Sequence, residues 1–70
     1  MTTGARQQQM PLEYKGKQYA GVFSVSGGML IARIPGINSK SAEMSDGTPE
    51  DKARALLNAI LEEAEQLGRL

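Results

Sequence analysis

The dipeptide Gly27-Gly28 stands in the middle of a strand-like run from Tyr14 to Ile34. Two adjacent glycines accept the positive φ angles of a two-residue hairpin turn, so they fix both where two strands meet and in what register. With the turn there, Ser26 faces Met29, Val25 faces Leu30, Ser24 faces Ile31, Phe23 faces Ala32, Val22 faces Arg33 and Gly21 faces Ile34. Side chains alternate along a strand, so one face gathers Tyr19, Phe23, Val25, Leu30, Ala32 and Ile34. The other gathers Ala20, Val22, Ser24, Ser26, Met29, Ile31 and Arg33. The first is the core face. Sliding the pairing by one residue would set Phe23 and Val25 against Met29, Ile31 and Arg33 and place a charge in the apolar layer, so pattern and turn agree.

Pro35-Gly36 ends the second strand and Ile37-Asn38-Ser39 continues the turn. Lys40 to Met44 follows as a third strand, with Ala42 and Met44 toward the core and Ser41 and Glu43 toward water. Ser45-Asp46-Gly47 turns the chain into a helix start: Thr48 as a hydroxyl N-cap, Pro49 at the first helical position, and Glu50 and Asp51 in the first turn. The spacing predicts a helix from Pro49 to about Leu67. Ala53, Leu56, Leu57, Ile60, Leu61, Ala64 and Leu67 form its apolar stripe, with Gly68 as the C-terminal cap residue.

Residues 1–11 hold three consecutive glutamines, Gly4 and two threonines without a periodic apolar pattern, and are expected to be a flexible lead-in. Residues 12–70 are then a single domain. The expected fold class is α+β, a three-stranded antiparallel β-meander packed on one C-terminal α-helix (β-β-β-α). A 70-residue chain buries a smaller share of its surface than a larger domain does. With one Phe, two Tyr and no Trp, its core is aliphatic, and with no Cys it has no disulfide to stiffen it. Self-association is a common remedy at this size.

The chain has neither His nor Cys, which removes the thiol nucleophile, the imidazole base and the zinc-type site. Ser24, Ser26, Ser39, Ser41 and Ser45 show no spacing that pairs them with a base, and they read as a solvated strand face. No catalytic, cofactor-binding or metal residue is assigned, and the chain is expected not to be an enzyme. Gly27-Gly28 lacks the strand-loop-helix context and the Lys-Ser/Thr of a phosphate-cradling loop. Glu62, Glu63 and Glu65 read as a solvated helix face, but they lie near the negative end of the helix dipole, a placement that favours a basic partner.

Eight basic residues balance eight acidic ones, so the chain as a whole exerts no electrostatic pull on nucleic acid or an anionic membrane. No apolar run approaches the roughly 20 residues that span a bilayer, and Met1-Thr2-Thr3-Gly4-Ala5-Arg6 lacks the apolar core of a signal peptide. The expected location is cytoplasmic, with no membrane partner. A sheet backed by one helix is also an architecture of DNA-binding modules, including the arm-binding domains of tyrosine integrases. Here, however, Arg33 is the one base expected on the open face, with Lys15, Lys17 and Lys40 at strand ends and no aromatic to stack on bases. Nucleic acid is therefore a disfavoured partner.

The open face keeps Ala20, Val22, Met29 and Ile31 as an apolar stripe among serines and Arg33. A contiguous stripe on a small domain with open sheet edges points to self-association or a protein partner through the sheet face or an edge. The expected interface is Ala20, Val22, Met29, Ile31 and Arg33.

Two stretches carry resemblances. The run Tyr14-Lys15-Gly16-Lys17-Gln18-Tyr19-Ala20-Gly21-Val22-Phe23-Ser24-Val25-Ser26-Gly27-Gly28-Met29 resembles a group of short uncharacterised bacterial proteins in which a Gly-containing hairpin precedes one helix. It brings no activity with it. Ile34-Pro35-Gly36 followed by Asp46-Gly47-Thr48-Pro49-Glu50-Asp51-Lys52-Ala53 is similar to the strand, Pro-Gly turn and acidic helix start of HicB-type antitoxins. That likeness implies a sheet-and-helix domain that carries a partner toxin or a degenerate RNase-like site. The stretch between Pro35-Gly36 and Asp46-Gly47 is longer than in that family, and no functional residue is carried over. The alternative expectation is accordingly a small nucleic-acid-associated or antitoxin-like regulator, motivated by Arg33, Lys17 and Lys40 lying near one another on the sheet.

Overall fold

The computed structural model describes residues 7–44 and 47–70. In chain order these form β1 (Gln8–Tyr14), β2 (Lys17–Ser26), β3 (Met29–Ile34), β4 (Asn38–Glu43) and α1 (Pro49–Gln66). The strands pair antiparallel with their chain neighbours into one sheet of order β1-β2-β3-β4, and α1 covers one side of it. The fold is α+β with an antiparallel sheet and a C-terminal helix, but the sheet has four strands where three were expected.

The extra strand is β1, whose first four residues, 8–11, are the end of the expected lead-in; residues 1–6 of that lead-in lie outside the described residues. Met10, Leu12 and Tyr14 alternate inward along β1, with Gln9, Pro11 and Glu13 turned outward. The period of two is present but carried by few apolar residues, and Pro11 interrupts it. Proline is tolerated because β1 is an edge strand. The β1–β2 turn is Lys15-Gly16, where Lys15 itself holds a positive φ of 51°. Lysine is an uncommon residue in that region, which is why the hairpin has no clear sequence signal.

The β2–β3 hairpin turns at Gly27-Gly28, with φ of 58° and 79° at the two glycines. Its ladder runs from Ser26–Met29 through Val25–Leu30, Ser24–Ile31 and Phe23–Ala32 to Val22–Arg33. The ladder stops one pair short of the expected Gly21–Ile34, and on its other side Gly21 pairs with Met10 of β1. The expected third strand corresponds to β4, which starts at Asn38 rather than Lys40 and ends at Glu43, and Met44 continues it with an N–H bond to the Gly28 carbonyl at 2.8 Å. Of the expected turn into the helix, Ser45 and Asp46 lie outside the described residues.

Thr48 caps α1, its hydroxyl accepting from the Asp51 N–H at 3.2 Å, with Pro49 at the first turn. At the other end, Arg69 N–H donates to the Ala64 carbonyl at 2.7 Å and Gly68 N–H to the Glu65 carbonyl at 3.0 Å. That pair of bonds is a Schellman closure.

Phe23, Leu30, Ala32 and Ile34 of the sheet and Ala53, Leu57, Ile60, Leu61 and Ala64 of α1 form the core, joined by Met10. Two residues expected in it lie outside. Val25 is 38% exposed, because β1 reaches only as far as Gln8 opposite Phe23 and α1 lies closer to β3 and β4 than to β2. Leu67 is 70% exposed, since it is the C-cap residue, where the backbone leaves the helical path. Tyr19 and Leu56 are half-buried against the core, as are Leu12, Tyr14, Ile37 and Met44. Gly21 is where helix and sheet come closest: a Cβ there would lie 2.7 Å from Leu57 Cδ1 and 2.9 Å from the Met10 carbonyl oxygen.

Candidate interaction surface

The side of the sheet away from α1 can be laid out row by row from the register. Pro11 stands beside Ala20; Gln9, Val22, Arg33 and Ser39 form the next row. Ser24, Ile31 and Ser41 follow, and then Ser26, Met29 and Glu43. The apolar members, Pro11, Ala20, Val22, Ile31 and Met29, therefore make a diagonal band from β1 to β3. Gln9, Ser24 and Ser26 flank it on one side and Arg33, Ser41 and Glu43 on the other. Ala20, Val22, Met29, Ile31 and Arg33 are thus on one face, as expected. Met29 is 38% and Ile31 44% exposed, while Val22 is half-buried between its strand neighbours.

Pro11 is the member that sequence reasoning missed, because it fell in the segment read as a lead-in. The alternation of Met10, Leu12 and Tyr14 was the signal that could have placed it. Its addition brings a rigid apolar ring to the end of the band and extends the band onto a third strand.

The basic side chains are distributed differently from the expectation. Lys40 is on the helix side of β4, with its ammonium 2.9 Å from Glu63 Oε2. Lys17, opposite Tyr14, belongs to the same side, whereas Arg33 is on the open face. The three are not a common patch. At the far end of α1, Glu65 Oε1 accepts from the Tyr14 hydroxyl at 2.8 Å, and Lys15 donates to Glu65 Oε2 at 2.8 Å. The basic groups that suit the acidic end of the helix are thus supplied by the chain itself, Lys15 from the β1–β2 turn and Lys40 from β4. The Lys15 hydrogen bond, helped by that of Tyr14, holds the Glu65 carboxyl below the usual carboxylate range. The same contact with Glu65 raises Lys15 and Tyr14 above their ordinary values.

At the β3–β4 turn a depression of about 560 Å³ is bordered by Arg33, Asn38, Ser39 and Arg69. It carries two guanidinium groups and no acid. Nothing in its lining pairs a nucleophile with a base. Among the described residues no three His, Cys, Asp or Glu side chains gather to hold a metal ion, and no helix is long and apolar enough to cross a membrane.

No family model, curated protein or solved structure matches this chain.

Proposed function

We infer that this chain is a non-enzymatic interaction module whose open sheet face associates with a second copy. The observation that carries this reading is the diagonal band of Pro11, Ala20, Val22, Ile31 and Met29. Two of its large side chains, Met29 and Ile31, stand more than a third exposed on the face that α1 does not cover. Single exposed apolar residues are ordinary, but a contiguous band rimmed by Ser, Gln, Arg and Glu has the anatomy of an interface: apolar middle, polar edge. A second copy also offers a small aliphatic domain additional apolar burial.

Sedimentation of the wild type against Ile31→Asp tests it. The variant is expected to keep its fold and to form a smaller assembly, because a carboxylate buried in the band without a partner opposes docking. Equal masses for the two at high concentration would count against the face.

A second reading, a nucleic-acid-associated or antitoxin-like regulator, draws support from Arg33 and Arg69 beside one depression without an acid in it. A mobility shift with mixed DNA and RNA that weakens steeply with salt would favour it, and the absence of any shift would remove it.

A further inference from the structure

The two edges of the sheet are not equivalent. Pro11 sits near the middle of β1 opposite Ala20, and a proline in a paired strand occupies a position whose nitrogen points away from its partner. The outer edge of β1 therefore lacks a donor at its centre. β4 has no proline. Its Met44 N–H turns inward to Gly28, so by the two-residue alternation of an antiparallel ladder Ala42 and Lys40 also turn their backbone groups toward β3. Ser39, Ser41 and Glu43 turn theirs outward. The Ser39 N–H, held at 2.8 Å by Asn38 Oδ1 rather than by β3, agrees with that phase.

Lysine is a common guard of an exposed edge. Lys40 does not act as one here, because its side chain rises on the helix side and is bound to Glu63.

We propose that the outer edge of β4 pairs antiparallel with β4 of a second copy, in the register centred on Ser41. This site is separate from the open face. In that register Ser41 meets its own symmetry mate, and the Glu43 N–H reaches the Ser39 carbonyl of the other copy. All three outward-turned residues are used. Shifting the centre to Lys40 leaves Glu43 unpaired and sets two ammonium groups opposite each other; shifting it to Ala42 leaves Ser39 without a partner among the described residues. The strand is thus its own best complement, which favours a second copy over an unrelated extended peptide. The two-fold axis runs perpendicular to the sheet, so both helices lie on the same side of an extended sheet. The Lys40–Glu63 bond places the helix flank of Lys52, Leu56, Ala59 and Glu63 above β4. The half-buried Leu56 and Ala59 of the two copies then approach each other across the seam.

The test uses Ile31→Asp as a background, so that association through the open face is already weakened. In that background the chain is expected to sediment as a dimer, and adding Ser41→Pro, which removes the central outward donor as Pro11 does on β1, yields a monomer with an unchanged far-UV spectrum. The chain has no native cysteine, so cross-linking reads the register directly. With oxidised glutathione added as the oxidant, Ser41→Cys is expected to form an interchain disulfide, its Cα atoms about 5.5 Å apart in a hydrogen-bonded pair, within the roughly 4.4–6.8 Å that the bond tolerates. Ser39→Cys, opposite Glu43 of the other copy, is not. A monomeric Ile31→Asp, a dimer that survives Ser41→Pro, or equal cross-linking at both positions would overturn the proposal. Failure of the open-face reading shows separately, as an Ile31→Asp variant with the wild-type mass.

Discussion

The two faces of the sheet are built from the same strands and the same hydrophobic vocabulary, yet one is finished and the other is not. On the helix side Leu30 and Ala32 are fully buried in one core with Leu57, Ile60 and Leu61. On the other side their chain neighbours Met29 and Ile31 remain exposed. Burial on the helix side is worth roughly 25 cal/mol for each Å² removed from water and is gained by the chain alone. On the open side the same gain requires another molecule. Changes on the two faces should therefore separate: the first alters stability, the second alters association.

Leu57→Ala attacks the finished face and carries the largest expected effect. Leu57 is fully buried and lies against the Gly21 position of β2, so truncation costs about 2–5 kcal/mol in transfer and cavity terms. Urea unfolding at low protein concentration, where association does not contribute, reads that loss. A loss below 1 kcal/mol would mean that the helix is not seated as described. Gly21→Val tests the same contact from the other direction. Its new atoms meet Leu57 and the Met10 carbonyl at sub-contact distances, and overpacking of this kind costs about 1–3 kcal/mol. An unchanged unfolding midpoint would show that α1 can move away freely.

Ile31→Asp, on the unfinished face, should move the unfolding free energy of the monomer by no more than about 0.5 kcal/mol, as exposed positions usually do. A loss as large as that of Leu57→Ala would erase the contrast between the faces. The smallest effect belongs to the rim, at Glu65. Its folded pKa is lowered by Lys15 and Tyr14, so its contribution is present above the ordinary glutamate pKa and fades as pH falls through the lowered folded value. For Lys15 and Tyr14, raised by the same contact, the contribution holds below their ordinary values and is lost as pH rises through the folded ones. Glu65→Gln should lower stability slightly at neutral pH and leave the acid end nearly unchanged, so that the acid limb between them is flatter. Both the carboxylate and the ammonium are well exposed, and salt should weaken the effect further.

Much of the finished face was legible in the sequence because several signals coincided there. Gly27-Gly28 set the register, alternation chose the face, and Thr48-Pro49 with Gly68 bounded the helix. β1 was illegible for the converse reason. Its inward residues Met10, Leu12 and Tyr14 are interleaved with Gln9, Pro11 and Glu13, and its turn uses Lys15 in a conformation more often filled by Asn or Gly. Pairing with β2, the burial of Met10 in the core and the Tyr14–Glu65 bond stabilise it, and all three are tertiary. The open-face residues were found by alternation alone. The separation of Arg33 from Lys40 was implicit in the alternation that turned Ala42 and Met44 inward, which puts Lys40 on the helix side as well; only its bond to Glu63 was hidden.

The contrast between the faces is tested most directly by methyl NMR of the wild type across a dilution series. The account predicts that the methyl signals of Met29, Ile31 and Val22 shift or broaden with concentration, while those of Leu57, Ile60 and Leu61 do not. Concentration-independent signals on both faces, with the mass of a 7.5 kDa monomer throughout, would contradict it.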